Sequence, residues 1–92
     1  MSQRVITFGE IMLRLKSPGH ERLFQSSSLG ATFGGAESNV AVSLAAFGLD
    51  ASFVTAVPAN PIGDSAVGEL RRFGVDVGHV RRSGGRLGIY FL

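Results

Sequence analysis

The stretch GGAESNVAVSLAAFGLDASFVTAV, residues 34–57, changes its apolar period midway, and that change decides the fold. From Ala36 onward, Val40, Leu44 and Phe47 fall on one face, flanked by Ala41, Ala45 and Ala46. This is helical spacing, with small residues that allow close packing. Gly48 stands where the C-cap of such a helix is expected. Residues 51–57 then run apolar and β-leaning, which predicts a buried strand. A helix leading directly into a buried strand is half of a βαβ unit.

The rest of the chain supplies the other halves. Upstream, residues 5–8 are short, apolar and β-branched after a polar start, a second buried strand that Gly9-Glu10 ends. Residues 11–15 partly alternate apolar and polar, as a half-exposed strand does. Ser17-Pro18-Gly19 is a turn signal. Residues 23–29 are polar and Ser-rich, anchored by Leu23, Phe24 and Leu29. Downstream, residues 58–63 read as a loop. Asp64 is read as the N-cap of a helix running to about Phe73, with Gly74 ending it. Residues 75–80 predict a short strand, Ser83-Gly84-Gly85 a turn, and residues 87–92 a final strand.

Strands alternating with helices imply right-handed βαβ units and a parallel sheet. Residues 11–32 break that rhythm. They read as a polar, hairpin-like insertion between the first strand and its helix, where α/β proteins bind ligands beyond the carboxyl ends of their strands.

Composition narrows the function. With 92 residues, 45% hydrophobic and 17% charged, the chain suits one small globular domain at most, of marginal stability on its own. It has no cysteine, which excludes disulfides and Cys-based zinc sites. His20 and His79 lack metal-ligand spacing, so no metal site is expected. The apolar stretch after Arg4 is interrupted by Glu10, so no signal-peptide core forms. No apolar run approaches the roughly 20 residues of a membrane span. A cytoplasmic protein without membrane contact is the expectation. The net charge of +2 is scattered, with Arg71-Arg72 and Arg81-Arg82 the only basic doublets. That pattern argues against a nucleic-acid surface and leaves small anionic ligands open.

Chemistry concentrates at Gly34-Gly35-Ala36-Glu37-Ser38-Asn39. Paired glycines let backbone approach a ligand, and the helix that follows offers unpaired N–H groups. Asn39, one turn in, both donates and accepts, which suits a sugar hydroxyl. The plainer reading is a Gly-Gly turn before a helix whose Glu37 complements the dipole. The segment is neither a G-x-G-x-x-G fingerprint nor a P-loop.

Gly34-Gly35, Asn39, Ala41 and Gly48 resemble the first signature of the PfkB (ribokinase-like) carbohydrate kinase family. Gly9-Glu10, residues 58–64 and the sequence from Phe73 to Asp76 ahead of Gly88-Ile89-Tyr90 resemble the family too, in the same order. Within it, Gly9 through Leu15, the Gly-Gly-Ala-Glu-x-Asn loop and Arg86-x-Gly-Ile-Tyr90 look most like 2-keto-3-deoxygluconate kinases. Glu37 departs from the family's usual small residue at this place, and Arg14 from the Asp common in neutral-sugar kinases; both departures weigh against a ribokinase or fructokinase assignment.

The resemblance implies an α/β sheet flanked by helices, with a β-lid over the sugar built from residues 11–32 and 86–92. It also implies an ATP- and Mg²⁺-dependent kinase for a sugar or sugar acid, a homodimer formed through the lid, and sugar contacts from Gly34, Gly35, Asn39 and Tyr90. Tyr90 reads equally as an interfacial core aromatic, and Arg86 as a substrate contact or a solvated turn residue. Arg14 interrupts an apolar run where the chain enters the lid. It stands for either a carboxylate-binding arginine or a solvated lid residue.

The family's catalytic Asp lies in a Gly-Ala-Gly-Asp motif, and its nucleotide site in the same region. Neither occurs here, so no catalytic or cofactor-binding residue is expected in residues 1–92. The chain is expected to be the N-terminal portion of one kinase domain, cut within a strand and inactive alone. Two alternatives stay open: a kinase for a neutral sugar such as fructose or ribose, and a non-catalytic nucleotide-binding or regulatory βαβ module.

Overall fold

In a computed structural model, residues 4–22, 25 and 27–92 are described. The expected anchors Leu23 and Phe24, and Ser26 of the serine run, lie outside them.

Strand β1 (Arg4–Phe8) leads through β2 (Met12–Lys16) and β3 (Gly30–Gly34) to helix α1 (Ala36–Ala46). β4 (Asp50–Val54) and β5 (Ala56–Pro58) follow, then helix α2 (Pro61–Arg72), β6 (Arg81–Ser83) and β7 (Gly88–Phe91). β1 pairs with β4 in parallel, and β5 with β6 in parallel. Each pair is bridged by one helix, so the two βαβ crossovers expected from the alternation are present.

The expected strand over residues 51–57 is two strands. Residues 50–54 pair with β1, and Asp76 bridges to Ser52 on their other side. The ladder breaks at Thr55, whose carbonyl accepts from the Arg81 N–H at 2.9 Å, and β5 resumes against β6.

The strand expected at residues 75–80 is also displaced. Asp76 exchanges backbone hydrogen bonds with β4, but its carboxylate accepts from the Gly78 N–H at 2.9 Å. That Asx turn diverts the chain, and pairing resumes only at Arg81. The Gly78 N–H, the Ser52 hydroxyl and the nearby Arg4 together hold the Asp76 carboxyl below the usual carboxylate range.

A third correction concerns α2. Its N-cap is Asn60, whose side chain accepts from the Gly63 N–H at 2.9 Å, with Pro61 in the first turn. Asp64 lies inside the helix and pairs with Arg82 at 2.9 Å. Asn-Pro outcompetes Asp here because proline already has a helical φ and needs no N–H partner. Gly63, Ala66, Val67 and Leu70 form the buried stripe of α2 at ordinary amphipathic spacing.

Helix α1 turns differently from expectation. Ser38 and Ala41 are buried and Val42 and Ala45 half-buried, whereas Val40 is exposed and Phe47 is 83% exposed. The small residues, not the large ones, face β1 and β4, because only a small-residue face lets the helix axis come close to the sheet. Gly48 follows the Phe47 C-cap with φ 85°, the left-handed geometry a helix end favours.

Phe53, Val57 and Leu70 are the largest fully buried side chains, joined in one cluster with Ile11, Ala41, Ala66, Val67, Val75 and Leu87. On the face of β1 away from the helices, Ile6 and Phe8 remain 62% and 77% exposed.

Candidate functional site

The two segments expected to form a lid meet in one mixed sheet of order β3-β2-β7. β2 pairs antiparallel with β3 and parallel with β7. β3 begins at Gly30 and reaches Gly34, two residues past the expected boundary, so the hairpin runs straight into the start of α1.

Register sorts this sheet into two faces. On one, Met12 lies between Gly34 and Gly88, and Arg14 between Thr32 and Tyr90; Lys16 follows beside Gly30. On the other, Leu13 lies between Phe33 and Ile89, and Leu15 between Ala31 and Phe91. The first face carries hydroxyls and cations, and the second is wholly apolar.

The polar face ends where α1 begins. Gly35, the N-cap of α1, has φ 143° and offers no side-chain cap. A Cβ on it would strike the Glu10 carbonyl oxygen and stand 3.2 Å from Ser38 Oγ. Ser38 is buried and donates to the Gly35 carbonyl at 3.0 Å. The first N–H groups of α1 therefore stay available to a ligand. A Cβ on Gly34 would stand 2.5 Å from Tyr90 Oη, so the tyrosine crosses from β7 over β2 to the glycine pair.

Gly34, Gly35 and Tyr90 are thus brought together. Tyr90 is half-buried, with its hydroxyl at the backbone of Gly34. Arg14 is half-buried in the row beside Tyr90, but its guanidinium turns the other way: Nε donates to Thr32 Oγ1 at 3.0 Å. Asn39 is exposed in the first turn of α1, its backbone N–H bonded to the Gly35 carbonyl at 2.9 Å. Arg86 is exposed in the turn before β7.

Three neighbours were not read as site residues from sequence. The Glu37 side chain lies over Gly9, with Cδ 2.5 Å from where a Cβ would be. Glu10 Oε1 stands 3.4 Å from the corresponding point on Gly88. Thr32 partners Arg14. The alternation read over residues 11–15 puts Arg14 on one face of its strand, but only the β2–β3 register puts Thr32 on that face. Nothing local marks Glu10 or Glu37, whose positions depend on the crossing of β1 and α1.

Arg14, Lys16, Ser17, Gly30 and Thr32 help to line an open pocket of about 440 Å³ at the hairpin end of the sheet. Among the described residues, no three His, Cys, Asp or Glu side chains gather as a metal site would require. Among the described residues, no helix is long and apolar enough to cross a membrane.

Residues 2–92 match the profile described as "pfkB family carbohydrate kinase". A 2-dehydro-3-deoxygalactonokinase of Haloferax volcanii is 41% identical over 76 residues, covering 83% of this chain and 24% of that protein. A 2-dehydro-3-deoxygluconokinase of Bacillus subtilis is 35% identical, covering 90% of this chain and 26% of that one. The crystal structure of 2-dehydro-3-deoxygluconokinase from Thermotoga maritima superposes with a TM-score of 0.94 at 60% identity, over 97% of this chain and 27% of that structure. The chain spans about a quarter of the length of the curated relatives it matches.

Proposed function

The chain belongs to the pfkB family of carbohydrate kinases, and from that premise we propose that the protein phosphorylates a hydroxyl of a 2-keto-3-deoxy sugar acid, 2-keto-3-deoxygluconate being the favoured acceptor. ATP is the proposed donor, with Mg²⁺ on the nucleotide. Both groups are assigned to the rest of a longer protein.

Residues 1–92 are proposed to be the N-terminal portion of a single kinase domain. The polar face of the β3-β2-β7 sheet covers the sugar as a lid. Gly34 and Gly35 let backbone N–H groups of α1 reach its hydroxyls, and Asn39 and Tyr90 contact it from either side. Their part in phosphoryl transfer is to hold the acceptor in line and exclude water. A second copy covers the outer part of the apolar lid face, Leu15, Ile89 and Phe91, while Leu13 and Phe33 pack against this chain's own core. The working compartment is the cytoplasm, where ATP is abundant.

The observation that carries the acid reading is Arg14: a half-buried arginine in the same row as Tyr90, on the polar face of the lid. An arginine recognises a carboxylate through paired hydrogen bonds that a neutral sugar cannot return. In the full-length enzyme, Arg14→Ala is expected to raise KM for the acid by roughly tenfold or more, with a much smaller effect on a neutral analogue. Equal effects on both would overturn the carboxylate role. The 2-keto-3-deoxygalactonate epimer is the second reading, favoured by the name of the Haloferax relative. Turnover of the two epimers side by side separates them, and turnover of fructose or ribose alone would replace both.

A further inference from the structure

We infer that Thr32 is a positioning residue that aims Arg14, and so sets the preference for an acidic over a neutral acceptor. The inference rests on the carboxylate reading above and adds to it. Thr32 is directly opposite Arg14 in the β2–β3 register, and Arg14 Nε donates to its hydroxyl at 3.0 Å.

A guanidinium presents its N–H groups in a planar fork. With Nε engaged by Thr32, one edge is closed, and the terminal Nη1/Nη2 edge remains as the outward pair. That pair has the geometry a carboxylate accepts bidentately. Without the hydroxyl, an arginine on an otherwise open sheet face samples many rotamers, and ordering it on binding costs free energy.

Position along the lid is consistent with this role. The Thr32–Arg14–Tyr90 row is one pleat repeat from the Gly34–Met12–Gly88 row that adjoins α1. Two residues of strand span roughly 7 Å. An open-chain sugar acid can thus have its hydroxyls near the start of α1 and its carboxylate at Arg14. Lys16, exposed and next along the same face, adds positive potential without competing for the same geometry.

Positioning and an incidental contact predict different responses to substitution. In full-length enzyme, KM is measured for 2-keto-3-deoxygluconate and for its uncharged methyl ester in Thr32→Val, Thr32→Ser, Arg14→Ala and the Arg14→Ala/Thr32→Val double variant. Valine keeps the β-branched shape and removes the hydroxyl; serine restores it. Thr32→Val is expected to shift the acid-to-ester KM ratio by roughly three- to tenfold toward the ester, about what one lost hydrogen bond delivers. Thr32→Ser should keep the wild-type ratio, and adding Thr32→Val to Arg14→Ala should change the ratio no further.

If Arg14→Ala moves the ratio but Thr32→Val does not, the positioning role is overturned while the sugar-acid function stands. If the two substitutions add independently, Thr32 acts on its own and the inference fails. If Arg14→Ala leaves the ratio unchanged, the carboxylate role and this inference fall together. Thermal midpoints of the variants, expected to stay near wild type, show that a KM change is not a folding defect.

Discussion

Gly35 is the residue on which the junction between sheet and helix depends. Its φ of 143° lies where residues with a Cβ are strained, and the added atom would be driven into the Glu10 carbonyl. Gly35→Ala in the full-length protein is therefore expected to cost about 1–3 kcal/mol of stability, read from denaturant midpoints. It should also raise KM for the sugar, because relieving the clash moves the first turn of α1 away from Glu10. A variant as stable as wild type would show that the backbone relaxes without cost. The paired glycines were legible in the sequence as a backbone approach site. The reason for Gly35 was not, since it comes from Glu10, on a segment 25 positions upstream.

At the scale of elements, α2 shows how a local signal can be read one turn too late. Asp64 has the chemistry of a cap, but Asn60 and Pro61 hold the geometry. Asn60→Ala is expected to destabilise the protein by about 1 kcal/mol. Asp64→Ala, which removes an ion pair whose aspartate is 69% exposed, should cost less than about 1 kcal/mol. Thermal or denaturant unfolding of the two variants checks the order, and a larger loss for Asp64→Ala would reverse the assignment. The same scale explains α1. Periodicity alone placed Val40, Leu44 and Phe47 on one face, yet the sheet took the small face of Ser38, Ala41 and Ala45. Spacing identifies which residues share a face, while axis distance decides which face goes inward.

For the molecule as a whole, what is uncovered matters most. A parallel sheet is ordinarily flanked on both faces. Here both helices serve the Phe53 side, and Ile6 and Phe8 stand open on the other, with Phe47 open on α1. The lid adds a second apolar face. Residues 1–92 expressed alone are therefore expected to self-associate, to unfold without a sharp cooperative transition and to turn over no ATP with sugar acids. Size-exclusion chromatography, calorimetry and a coupled kinase assay check these three points. A monomeric, cooperatively folding species would defeat the stability expectation, and sugar-dependent turnover from rigorously purified material would defeat the catalytic one.

The sequence by itself determined the βαβ alternation, the insertion after β1, the glycine pair before α1 and the collinear signature of the family. Each of these is a local pattern: a period, a turn residue or a motif written in neighbouring positions. Tertiary structure alone decided the split of residues 50–58 into two strands, the detour at Asp76 and the face that α1 buries. It also decided the row that sets Thr32, Arg14 and Tyr90 side by side. The physical reason is common to all of these. Strand partners, ladder breaks and cross-strand neighbours are pairings between distant segments, and hydrogen-bond register, not composition, selects which residues meet.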